Sequence, residues 1–105
     1  MSQPVIVTAT FLLRPGSRDA VLEALRPAVA AVHEESGCEL YALYETVDGS
    51  LVMIEKWQSV ELLDAHGTSK AVSALGRVLA DHLMAPVDVI RMTSIPMGTM
   101  EQGAL

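Results

Sequence analysis

ELYALYETVDGSLVMIEKW, residues 39–57, holds two runs rich in β-branched and aromatic residues on either side of Asp48-Gly49-Ser50. Asp-Gly between such runs is a strong hairpin signal, because the turn needs backbone angles that glycine adopts freely. The stretch therefore predicts a strand over 39–47, a turn at 48–50 and a strand over 51–57. A strand turns successive side chains to opposite faces, so Leu51, Met53, Glu55 and Trp57 share one face, while Val52, Ile54 and Lys56 share the other. Tyr41 and Tyr44 fall on opposite faces of the first arm, so only one of them can turn toward any helices covering the sheet.

Outward from the hairpin, the pattern is regular in both directions. VIVTATFLL, residues 5–13, reads as a strand stopped by Arg14-Pro15-Gly16. Ser17 is placed to cap a helix over 18–34, with Val21, Leu22, Leu25, Val29 and Val32 spaced at three and four residues on one stripe. Pro27 falls inside that helix and is expected to bend it or loosen its middle. After the hairpin, a short helix starts at Ser59 and stops at Gly67. A second, over 69–83, carries Val72, Leu75, Leu79 and His82 on one stripe, and Pro86 closes it. PVDVIRMTSI, residues 86–95, forms a last strand, and residues 96–105 form a tail. The order βαββαβ is that of an α+β, ferredoxin-like domain over residues 1–95, an antiparallel sheet with helices on one face.

Composition narrows the functional classes. In 105 residues the net charge is −6, which argues against nucleic acid or an anionic membrane surface as partner, since both call for a basic field. No apolar run reaches the ~18–20 residues of a bilayer span, and Met1-Ser2-Gln3-Pro4 lacks the parts of a signal peptide. A lone cysteine, Cys38, permits no internal disulfide and fits a reducing cytoplasm; beside strand residues it reads as a small buried hydrophobe. Half the residues are hydrophobic and the mean hydropathy is +0.35, more apolar surface than so small a domain hides alone. The uncovered sheet face of a homodimer would take up the surplus. Neither clustered zinc ligands nor a glycine-rich nucleotide loop is present.

RPGSRDAVLEALRP (14–27), ESGCELYALYE (35–45), EKWQSVELLDAH (55–66) and TSKAVSALGRVL (68–79), in that order and spacing, resemble the antibiotic biosynthesis monooxygenase family, which includes the quinol monooxygenases. The resemblance implies a dimeric α+β barrel with a pocket in each subunit between sheet and helices. It also implies oxygenation of an electron-rich aromatic small molecule, a quinol or a polycyclic, polyketide-like compound, by O₂ without metal, flavin or haem. Much of the family carries a second His about five residues beyond the one that ends the short helix. Here Ala71 occupies that place. Haem-degrading relatives use an Asn on the first strand; this chain contains no Asn, and Ala9 stands near that position, which disfavours haem chemistry.

His66 and Trp57 are the candidate catalytic pair. His66 follows Leu62 and Leu63 at helical spacing, so it is either a packed, hydrogen-bonded side chain or a base facing a pocket. Trp57 is either a core anchor or a flat wall for a flat substrate. Glu55, on the face of Met53 and Trp57, needs a partner if buried, with Arg91 or a His in reach; desolvated, it would become a weaker acid and a possible base. Glu55, Phe11, Tyr44, His82 and Arg91 are the candidate substrate contacts. His33 reads as a solvated residue at a helix C-terminus. Two other readings fit the same residues: a non-catalytic small-ligand-binding or structural dimer, which the missing second His favours, and isomerase or decarboxylase chemistry using the same base.

Overall fold

The computed structural model describes residues 3–105, so the reading of the first four residues falls partly outside it. Four strands, β1 (Val5–Phe11), β2 (Cys38–Glu45), β3 (Leu51–Trp57) and β4 (Asp88–Met92), form one antiparallel sheet in the order β2-β3-β1-β4. Helix α1 (Arg18–His33) crosses between β1 and β2, while α2 (Val60–Gly67) and α3 (Lys70–Leu79) connect β3 to β4. This is the expected ferredoxin-like α+β arrangement. No helix among the described residues is long and apolar enough to cross a membrane.

The predicted periodicities appear in the burial. Val5, Val7, Ala9 and Phe11 of β1, with Leu51, Met53 and Trp57 of β3, pack beneath Val21, Leu25 and Val32 of α1 and Leu75 and Leu79 of α3. The opposite face of the sheet lies outside this core. There Tyr44, Ile90 and Met92 are exposed.

Three local expectations change. Helix α1 runs unbroken through Pro27. Pro27 is solvent-exposed, and so is Glu23, whose carbonyl it leaves without a helical donor; water can satisfy that group. Ser17 occupies the cap position of α1, yet its side chain bonds His82 instead of the helix backbone. The last strand is shorter than predicted and is followed by a single exposed turn of helix, α4 (Met100–Gly103), capped by Thr99.

Helix α1 returns to the sheet through Gly37, whose φ of +83° is natural only to glycine. A Cβ there would lie 2.5 Å from Leu62 Cδ1 of α2, so this turn and that helix are fitted against each other. Gly37→Ala combines left-handed strain with a clash, and should cost about 2 kcal/mol or more of stability in urea unfolding. Measured against Leu62→Ala alone, Gly37→Ala should cost less, because that background removes the contact with Cδ1 while keeping the one with Cβ at 2.9 Å; an unchanged cost would show that the Leu62 side chain beyond Cβ contributes nothing.

Candidate active site

A β-bulge decides which residues meet beneath the helices. In the β2–β3 ladder Cys38 pairs with Trp57 and Leu40 with Lys56, so Glu39 is the extra residue. From there Tyr41 lies opposite Glu55, and Glu55 in turn lies opposite Val7, which faces Arg91 on β4. One row across the sheet therefore reads Tyr41, Glu55, Val7, Arg91, all on the helix-covered side. Above it α2 lowers His66, whose first turn is held by Ser59 Oγ accepting from the Leu62 amide.

Glu55 is 4 % exposed. Its Oε1 accepts a hydrogen bond from Trp57 Nε1 at 2.9 Å and stands 4.0 Å from His66 Nε2. The other ring nitrogen, His66 Nδ1, lies 2.9 Å from Glu35 Oε1, on the loop between α1 and β2. Trp57 stacks at a tilt behind the imidazole, with centroids 4.5 Å apart, and Tyr41 meets it edge-on at 5.4 Å. Four side chains from two strands and a loop thus converge on one imidazole.

The electrostatics of this cluster follow from burial. Ionising a buried carboxylate costs several kcal/mol, and one charge-assisted hydrogen bond returns roughly 1.5–3 kcal/mol. Burial accordingly raises the Glu55 pKa above the ordinary carboxylate value, against the pull of the Trp57 bond and of His66, with Glu35 adding to the rise. The Tyr41 phenol is pushed far up, mainly by burial and then by Glu55 and Glu35. The Cys38 thiol is also raised by burial, and so stays protonated.

Beside the cluster lies a cavity of about 240 Å³. Tyr41, Glu55 and His66 form its polar end, Arg91 stands on its rim, and Val7, Ala9, Phe11, Leu63, Leu75 and Leu79 supply apolar walls. Arg91 pairs with Asp64 of α2 at 2.8 Å, both half-exposed. An ion pair of that kind is worth at most about 1 kcal/mol, so the rim is weakly held. Among the described residues no group of three or more His, Cys, Asp and Glu is placed to hold a metal ion.

The sequence profile of the antibiotic biosynthesis monooxygenases matches residues 4–77. The chain belongs to the antibiotic biosynthesis monooxygenase family. Among its relatives, Rv0793 of Mycobacterium tuberculosis, which carries a provisional monooxygenase name, is 35 % identical over 97 residues, 84 % of this chain and 96 % of that protein. YgiN of Escherichia coli, provisionally named a quinol monooxygenase, is 36 % identical over 72 residues, 57 % of this chain and 69 % of its own. The solved structure of Rv0793 superposes with a TM-score of 0.84 at 32 % identity, covering 92 % of this chain and all of that one. That of PA3566 from Pseudomonas aeruginosa gives 0.81 at 27 % identity, over 90 % and 97 %.

Within this family member the predicted residues separate into three groups. His66, Glu55, Phe11 and Arg91 line the cavity. Trp57 does not line it: fully buried, it stands behind His66 and engages Glu55. Tyr44 and His82 lie elsewhere. Tyr44 is on the open face because the bulge gives the covered face to Tyr41, and His82 Nδ1 bonds Ser17 Oγ. Glu55 pairs with Trp57 and faces His66, while Arg91, its other expected partner, is engaged by Asp64. His33 is exposed but bonds the Tyr41 carbonyl at 3.0 Å, tying the end of α1 to the edge strand. Ala71 packs against the core, and α3 presents Val72, Leu75, Gly76 and Leu79 to the cavity.

A carboxyl whose pKa is raised on folding binds its proton more tightly in the native state, so its contribution to stability falls as pH rises from the unfolded value toward the folded one. Glu55→Gln removes this loss. The stability difference, variant minus wild type, should therefore increase as pH rises above the ordinary carboxylate value in urea titrations. A flat or falling difference would mean that Glu55 is held ionised by its neighbours.

Proposed function

We propose that this chain is a cofactor-independent monooxygenase that oxidises a small quinol with O₂, acting as a cytoplasmic homodimer. The observation that carries the reading is an imidazole nitrogen, His66 Nε2, at the polar end of a mostly apolar, partly open cavity. An aromatic ring fits the walls, and its hydroxyl, directed toward Glu55 and His66, has a base within reach. About 240 Å³ exceeds the ~150 Å³ that accommodates benzene in an engineered cavity and falls below the ~300–1,000 Å³ of drug-sized sites. The size favours one substituted ring, or two, over a polycyclic polyketide.

The reaction needs little from the protein beyond this. His66 takes the phenolic proton, and the resulting anion is rich enough in electrons to pass one to O₂. Recombination at a ring carbon gives a hydroperoxide, and loss of water leaves the hydroxylated quinone. One oxygen atom enters the ring and the other leaves as water, with the quinol supplying the electrons that reduce it. The apolar walls exclude water that would otherwise protonate the anion or divert the peroxide. Arg91 at the rim attracts an anionic substituent or the anion itself. The alternative, a ligand-binding module, draws on Ala71 and the wholly apolar contribution of α3 to the cavity.

Oxygen uptake with a panel of hydroquinones distinguishes the two. Metal-stripped protein should consume O₂ with at least one of them. His66→Ala should lower kcat on the order of 10²-fold or more with an unchanged circular dichroism spectrum. Binding of quinols without any protein-dependent uptake would leave the binding module as the reading.

The dimer rests on the uncovered sheet face, where Tyr44, Ile90 and Met92 expose apolar surface that a second copy would bury. Light scattering at micromolar concentration should return twice the 11.2 kDa chain mass. A monomer mass there would remove the dimer while leaving the chemistry of the cavity untouched.

A further inference from the structure

His66 lies between two carboxylates that make opposite demands on its ring. An ionised carboxylate only accepts hydrogen bonds, so each one favours a proton on the nitrogen facing it. Glu35 favours the Nδ1–H form, and Glu55 favours the Nε2–H form. A neutral imidazole has one proton to give. In the Nε2–H form the nitrogen on the cavity side is already occupied, and His66 cannot act as a base there.

The geometry resolves this conflict in favour of Glu35. Its Oε1 is 2.9 Å from Nδ1, within hydrogen-bond distance, whereas Glu55 Oε1 is 4.0 Å from Nε2, beyond it. Glu55 Oε1 is moreover engaged by Trp57 Nε1 at 2.9 Å. Glu35 is itself anchored through its backbone: its amide donates to the Val32 carbonyl at 2.9 Å, and its carbonyl accepts from the Cys38 amide at 3.3 Å. The ring has little freedom to turn over, being 8 % exposed and packed between Trp57 and the edge of Tyr41. Arg91, which also lines the cavity, is engaged by Asp64 at 2.8 Å.

We infer that Glu35 is a positioning residue that fixes His66 as the Nδ1–H tautomer and so keeps Nε2 free to accept a proton from the cavity, with Trp57 assisting by occupying Glu55. This rests on the proposed function for its catalytic consequence, though not for the tautomer itself. Glu35 is not among the residues lining the cavity, and it positions the base through its bond to the imidazole.

Histidine-selective ¹⁵N labelling reads the tautomer without any substrate. Three imidazoles give three sets of signals, and His66→Gln identifies its own by removing it. At the alkaline plateau of the titration, Nδ1 of His66 should show the pyrrole-like shift and Nε2 the pyridine-like one. Glu35→Gln keeps size and can still hydrogen-bond, but its amide donates as well as accepts, so the lock is released; signal should move toward the Nε2–H form that Glu55 favours. Trp57→Phe, which frees Glu55, should move it the same way. A pyrrole-like Nε2 in the wild type, or a Glu35→Gln spectrum unchanged from wild type, would overturn the inference.

Oxygen uptake then separates this claim from the reaction it serves. Given an active quinol, Glu35→Gln should lower kcat at least tenfold with KM little changed, as expected of a base held in the wrong tautomer. Unchanged kcat would refute the positioning role while leaving the monooxygenase reading in place. The expected spectra with no uptake for any quinol would do the reverse.

Discussion

Glu55 lies on the covered face of a central strand, flanked by Met53 and Trp57, and the two-residue period of β3 gives the chain no way to turn it toward water. Shifting the strand by one residue would expose Leu51, Met53 and Trp57 together, so the core fixes the carboxyl where it is. Such a group requires partners, and their positions account for much of the surrounding structure. The only indole N–H in the chain is spent on it from two residues along the same strand. The short helix α2 brings His66 over it, and the fit of α2 against Gly37 holds that helix at the required height. The loop that carries Gly37 also carries Glu35, so one turn both places the helix and supplies the acceptor for its histidine.

Much of the fold was legible because burial on this chain is written in simple periods. β3 is found at the predicted 51–57, and α1 within a residue of the predicted end, since alternation and a three-four stripe each describe an element with one buried face. The site was less legible, for three separate reasons. Alternation narrows the tyrosines to opposite faces without saying which is covered, and the bulge at Glu39 that assigns Tyr41 has no signature in composition. Trp57 and His66 stand out by rarity, yet rarity does not distinguish a residue that lines a cavity from one that backs it. Glu35 sits in a loop with no period at all. It opens the ESGCELYALYE stretch that carries the family resemblance, and that was the one available signal.

The two faces of the sheet divide the apolar surplus noted in the composition. The covered face uses it for the core and the cavity walls, and the open face leaves part of it in solvent. β4 belongs to both. Val89 and Arg91 point toward the cavity, while Ile90 and Met92 point away, and every residue of the strand is exposed. A contact on the open face would therefore press on the strand that forms the rim.

In the proposed reaction, a phenol must be ionised beside a tyrosine that is not. Tyr41 and the substrate share a desolvated space lined by Glu55, with Glu35 behind His66, and burial and both carboxylates oppose forming a phenolate. The cavity field alone cannot favour one hydroxyl over the other. The distinction lies in contact with the base. Tyr41 turns its ring edge to His66, with centroids 5.4 Å apart, whereas a substrate hydroxyl at the polar end can meet Nε2 directly and remain bonded to the imidazolium it creates. That ion pair offsets the desolvation that keeps Tyr41 neutral, and it forms only where Nε2 begins unprotonated. An anion made in this way is poorly solvated and held by a single strong partner, the condition in which it most readily gives its electron to oxygen.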